Sequence, residues 1–192
     1  MKTLLSTITA LLVLVVAGHS ATITYIANLS GPNESPVNPS PGIGFGSVTV
    51  DDIANTMLVN VQFSGLVSGT AASHIHCCTP TPFTGTAGVA TAVPTFPNFP
   101  LGVTSGTYQQ LFDLTSAATY NPAFVTANGG TALSAEAVLL AGMAAGETYL
   151  NIHTATSPGG EIRGFLVATP EPVTILLAGA VLIGLGLRRK RR

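Results

Sequence analysis

The sequence predicts an all-β domain, an antiparallel β-sandwich with one short helix, between an N-terminal signal peptide and a C-terminal transmembrane tail helix. Three observations carry the prediction. Thr56 to Ser64 alternates strictly, with Met57, Val59, Val61 and Phe63 on one face and Leu58, Asn60, Gln62 and Ser64 on the other, the period of a half-buried strand. Short runs rich in Thr, Ile and Val recur between turn residues, as a sandwich requires. Helical signal is confined to one brief stretch.

The elements follow in order. Met1-Lys2, an apolar stretch from Leu4 to Val16 and the small residues Ala17, Gly18, Ser20 and Ala21 form the charged, apolar and cleavage regions of a signal peptide over 1–20. Thr22 to Leu29 and Gly42 to Val50 read as strands, separated by a loop through Gly31-Pro32-Asn33-Glu34-Ser35-Pro36, Pro39 and Pro41. Ala71 to Cys77 and Gly106 to Leu114 read as further strands. Between them, Thr79 to Thr104 holds five prolines, the composition of a long irregular loop with a functional or flexible role. Ser134 before Ala135-Glu136-Ala137-Val138-Leu139-Leu140 reads as an N-cap and a short helix. Thr148 to Thr154 and Glu161 to Ala168 complete the domain, joined at Ser157-Pro158-Gly159-Gly160, a hairpin signal. The domain thus spans 22–169, enough chain for a single core.

The tail, 170–192, has three parts: Pro170-Glu171-Pro172, an apolar helix over 173–187, and the basic stop Arg188-Arg189-Lys190-Arg191-Arg192. Fifteen apolar residues span about 22 Å as a helix, short of a bilayer core of about 30 Å. The basic cluster keeps this end cytoplasmic. Short span and basic stop suit a tail that is cut after sorting. Five of the seven Lys and Arg side chains lie in those last five positions. The domain itself carries seven acids against Arg163 alone, a formal charge of −6. Such a surface repels anionic polymers unless cations bridge them, and export excludes nucleic acid as a natural partner.

Candidate chemistry lies in two places. In Ser73-His74-Ile75-His76-Cys77-Cys78, a strand puts His74 and His76 on one face, a spacing that can grip one metal ion. In Tyr149-Leu150-Asn151-Ile152-His153-Thr154, Leu150 and Ile152 face inward while Asn151 and His153 share the other face. Closing the hairpin with Ala155 opposite Glu161 sets His153 opposite Arg163. Two readings stay open: a copper or zinc site of His74, His76 and His153, or a structural polar cluster of His74, His76 and Arg163 with Asn151 and Glu161. The sole cation of the domain pairs with Glu161 or another buried carboxylate, or binds an anion. Cys77 and Cys78 can form a disulfide, remain thiols, ligate metal or link to another chain; across a trans peptide their Cα atoms are about 3.8 Å apart, below the usual disulfide range. Ser73 points away from His74, Asp51-Asp52 marks a solvated turn, and no phosphate loop or zinc-protease motif is present. No catalytic constellation emerges.

Two resemblances add to this reading. Pro170-Glu171-Pro172, the apolar run and the terminal basic cluster resemble the PEP-CTERM sorting signal of Gram-negative, exopolysaccharide-producing bacteria, which implies recognition and processing by an exosortase after signal peptidase has acted. Ala27-Asn28-Leu29-Ser30-Gly31, Gly65-Leu66, His74-Ile75-His76 and Asn151-Ile152-His153-Thr154 followed by Pro158-Gly159-Gly160-Glu161-Ile162-Arg163-Gly164 resemble a CHRD domain over about 27–167. That resemblance implies an all-β sandwich, immunoglobulin-like or superoxide-dismutase-like, in an exported protein. Where such domains often carry glycine after His-x-His, this chain has Cys77-Cys78. The three histidines are similar to the copper half of a Cu/Zn superoxide dismutase, yet no histidine remains in the domain to bridge a second metal.

The expectation is therefore a non-enzymatic protein. It is exported through the inner membrane, held briefly by its tail with the C-terminus cytoplasmic, then released to the cell surface or extracellular polysaccharide matrix. There it acts as an adhesion or structural module toward polysaccharide or another surface protein. The alternative is an extracellular copper- or zinc-binding protein.

Overall fold

The computed structural model describes residues 22–169. The expected signal peptide (1–20), the Pro170-Glu171-Pro172 motif, the apolar run 173–187 and the basic stop Arg188 to Arg192 lie outside the described residues. Among the described residues no helix is long and apolar enough to cross a membrane.

Eight antiparallel strands and two helices make up the domain: β1 Thr22–Ser30, β2 Ile43–Asp51, β3 Thr56–Ser64, β4 Thr70–His76, β5 Gly106–Asp113, α1 Pro122–Ala127, α2 Ala132–Ala145, β6 Tyr149–Thr154, β7 Ile162–Phe165 and β8 Val167–Ala168. The strands form one sheet in the order β4-β6-β7-β1-β2-β3-β5, with β8 continuing β7 along β1. This sheet curls so that its halves face each other. A methyl group on Gly46 of β2 would strike the Leu150 side chain of β6, and one on Gly44 would press on Ile162 of β7. Glycine is what lets the two halves approach this closely. The fold is all-β and sandwich-like, as the alternation in β3 requires. Met57, Val59, Val61 and Phe63 are all buried, together with Leu29, Val48, Ile75, Leu150, Ile152 and Ile162 from the other strands.

The loop between β4 and β5 bridges the two ends of the sheet. Its Phe96 is fully buried, stacks on Tyr108 of β5 at 5.6 Å, and donates its backbone N–H to Ser73 of β4. Ala90 N–H and Cys77 N–H extend this pairing along β4. The loop is therefore ordered covering for an edge strand rather than an excursion.

The helical part is larger than the sequence suggests. Ser134 is not the N-cap. Thr131 is, and Ser134 occupies the third helical position, closing a capping box with Thr131. The box uses Ser where Glu or Gln is usual, which hid the true start. The helix runs fourteen residues to Gly146, which is left-handed at φ 73° and caps it. A second helix, α1, begins at Pro122 behind an Asn121 cap, a start signal that was present in the sequence but followed by only six helical residues.

The β6–β7 hairpin also differs. Asn151 lies opposite Arg163 and Ile152 opposite Ile162, so the expected pairing of His153 with Arg163 is displaced by two residues. The turn is longer than a tight hairpin. Ser157 N–H bonds Thr154, Gly160 N–H bonds Ser157, and Glu161 N–H reaches back to Ile152. An even displacement leaves every side chain on its expected face.

Candidate metal centre

His74 and His76 project from β4, and Tyr149, Asn151 and His153 from β6, on the face opposite Ile75, Leu150 and Ile152. Cross-strand pairing sets His76 opposite Tyr149, His74 opposite Asn151 and His153 one pair further along, opposite Ala72. This face would normally meet solvent. Here loops roof it, so His74 is 5 % and His76 7 % exposed, with His153 half-buried.

Each imidazole is held by one backbone carbonyl. His74 Nε2 is 2.7 Å from the Pro94 oxygen, His76 Nδ1 2.9 Å from Ala87, and His153 Nδ1 2.9 Å from Pro158. A carbonyl only accepts, so the bonded nitrogen carries the hydrogen and the other nitrogen is a bare lone pair. Those remaining nitrogens, His74 Nδ1, His76 Nε2 and His153 Nε2, are buried without a partner. Ligand atoms from the three rings lie within 4.8 Å of one another. Carbonyl support of the distal nitrogen is the usual second layer of a metal-bound histidine. The sequence placed these three residues together correctly. It did not show that the long loop and the 155–161 turn supply the carbonyls.

A stack of rings backs the site. Tyr149 lies flat on His76, with centroids 4.7 Å apart and planes 8° from parallel, and the Arg163 guanidinium carbon sits 4.7 Å from the Tyr149 centroid. Tyr149 hydroxyl and His76 Nδ1 share the Ala87 carbonyl.

The expected polar cluster of Asn151, Glu161 and Arg163 is not one network. The carboxylate partner of Arg163 is Glu34, 3.8 Å away, and its guanidinium also donates to the carbonyls of Asn33 and Gly85. Glu161 instead accepts from Ser40, Val67 N–H and Thr154. Glu34 was hidden because a proline-rich loop gives no signal that it will fold inward. Cys77 and Cys78 are joined by a disulfide, across a cis rather than trans peptide with Cα atoms 3.0 Å apart. Both sulfurs pack against Gly142 of α2, so they are not ligands of the histidine site.

Burial pushes His74 and His76 down to about 4 and also lowers His153. The site is thus a set of neutral bases at neutral pH. Burial pushes Glu34 up to about 7, against the attraction of Arg163. The linkage has a definite sign. Between about pH 6.5 and 4 the unfolded chain binds protons that His74 and His76 refuse when folded, so each removes up to about 1.4 kcal/mol of stability per pH unit on acidification. Glu34 holds its proton better when folded and offsets one such slope between its ordinary 4.5 and about 7. The net expectation for metal-free protein is a loss of roughly 1 kcal/mol per unit from pH 6 to 5, fading as the pH falls through about 4, where the folded imidazoles take up their protons. Urea unfolding at pH 7, 6, 5 and 4 checks it; unchanged or rising stability from 6 to 4 would contradict the assignment of neutral buried imidazoles.

Neither a curated protein nor a solved structure gives a significant match to this chain. The family model of the CHRD domain matches residues 25–166, nearly all of the described region and both histidine-bearing strands. The chain therefore belongs to the CHRD domain family, and that domain points to an extracellular or secreted module.

Proposed function

We propose that this protein is an exported, exosortase-sorted CHRD module that holds a copper or zinc ion on His74, His76 and His153. It does so at the cell surface or in the extracellular polysaccharide matrix. One observation supports the metal reading above all: three carbonyl-held imidazoles, each with a buried, unpartnered nitrogen, offer ligand atoms within 4.8 Å of one another. A single water has two hydrogens and cannot satisfy three acceptors. Protonating one ring is opposed by the burial that lowers all three. A cation satisfies the three together.

A domain of formal charge −6 draws cations from its surroundings and raises their concentration near the site. Sorting rests on Pro170-Glu171-Pro172 ahead of the apolar run and basic stop, and on the signal peptide at the other end.

The metal reading is tested by dialysing the full chain against Cu(II), Cu(I) or Zn(II) and measuring bound metal, with His76→Ala alongside. One ion per chain, lost in the variant, is expected. Equal and substoichiometric metal in both would sink it. Sorting is read from the mass of the surface form, which ends near Pro170 if the tail is processed and at Arg192 if it is not.

A further inference from the structure

We propose that the three-histidine site is a cuprous site, selecting monovalent copper over Zn(II) and Cu(II). This rests on reading His74, His76 and His153 as a metal centre, and it names the ion.

Coordination number favours the cuprous ion. Among the described residues the group of candidate ligands ends at three histidines. No carboxylate joins them, and the nearby sulfurs are tied together and packed on α2. Zn(II) on three histidines keeps a fourth position for water or substrate, and Cu(II) takes a tetragonal set. The three free nitrogens are buried, so bulk water does not lie against them to supply the missing ligands. Cu(I) has a filled d shell and is content with three nitrogens in a plane.

Charge favours it as well. All three ligands are neutral, so the whole charge of the ion is carried into a buried site. The cost of burying an ion in a medium of low dielectric rises with the square of its charge, which penalises a divalent ion about fourfold more than a monovalent one. Carboxylate ligands would repay that cost, and here none is present.

The neighbour behind the site acts in the same direction. Arg163 stacks on Tyr149, which stacks on His76, so a fixed positive charge sits one ring away from a ligand. A positive charge held that close to a ligand ring opposes the second positive charge of Cu(II). Glu34 partly offsets it from the far side of the guanidinium. Arg163 is therefore a positioning residue that sets the preferred oxidation state through the Tyr149 ring.

The test uses the full chain, titrated without oxygen with Cu(I) against a colorimetric Cu(I) chelator under ascorbate, and separately with Cu(II) and Zn(II) against their chelators. Cu(I) is expected at one per chain, tighter than either divalent ion by at least about 100-fold, the scale on which surroundings tune a metal site. Arg163→Met alone strands Glu34 without its partner, so the double variant Glu34→Gln/Arg163→Met is the informative one. It is expected to keep one Cu(I) but to lower the Cu(II)/Cu(I) potential. Zn(II) or Cu(II) bound as tightly as Cu(I) overturns this inference and leaves the metal centre standing, whereas no binding of any of the three ions overturns both. An unchanged potential in the double variant overturns the role given to Arg163.

Discussion

Glu161→Ala is expected to cost about 2–4 kcal/mol, the scale for losing a buried side chain that gathers several hydrogen bonds, and to bring the domain close to the edge of folding. Glu161 is 1 % exposed, and both of its carboxylate oxygens are used. One accepts the Ser40 hydroxyl and the Val67 N–H, each at 2.7 Å; the other accepts the Thr154 hydroxyl at 2.5 Å. A single side chain thus ties the β1–β2 loop, the β3–β4 connection and the end of β6. Alanine takes the acceptor from three donors, of which the Thr154 hydroxyl is buried, and a buried donor left without an acceptor costs about 1–3 kcal/mol. Total stabilities are commonly about 5–15 kcal/mol, so the loss is a large share. Glu161→Gln keeps one acceptor oxygen and is expected to cost less. Urea midpoints of the two variants measure both values, and an alanine cost below about 1 kcal/mol would show that these contacts do not hold the loops.

His76→Ala is expected to reduce bound metal from one ion per chain to below about a tenth, since even changes behind a metal ligand cost 10–100-fold in affinity. Metal-free stability should fall far less, by about 1–2 kcal/mol for a lost ring in a roofed site. The reason is specific. The Ala87 carbonyl that His76 engages also receives the Tyr149 hydroxyl, so no buried acceptor is stranded when the imidazole goes. Melting of the metal-free variant, followed by metal analysis, separates loss of ligand from loss of fold. A variant that stays folded and keeps its full complement of metal would remove His76 from the site.

Much of this site was legible because strand geometry is simple. His74 and His76 share a face by parity alone, and Asn151 and His153 share theirs for the same reason. Once β4 pairs with β6 the two sets must meet. Parity also survived the hairpin error: a displacement of two residues moved Arg163 from His153 to Asn151 without changing its face. What parity cannot supply is the roof. Pro94, Ala87 and Pro158 act through main-chain carbonyls, which carry no side-chain signature. Glu34 reaches Arg163 across the fold from a loop that reads as solvent-exposed. The family match fixes the domain and its extent, and the histidines that suggested chemistry fall inside it.

The helical region shows the complementary limit. Thr131 and Ser134 cap α2 through each other's hydroxyls, a pairing without the Glu or Gln that usually marks a capping box. Asn121-Pro122 announces α1, but its six residues are too few to display a periodic face.

The state of the three imidazoles is the most direct test of the whole account. Long-range 1H–15N correlation spectra of the full chain report which ring nitrogen carries hydrogen and which is bare. The account predicts hydrogen on His74 Nε2, His76 Nδ1 and His153 Nδ1 in metal-free protein at pH 7. One equivalent of Cu(I) should then shift His74 Nδ1, His76 Nε2 and His153 Nε2 together. Tautomers opposite to these, or metal that moves only one of the three rings, would contradict it.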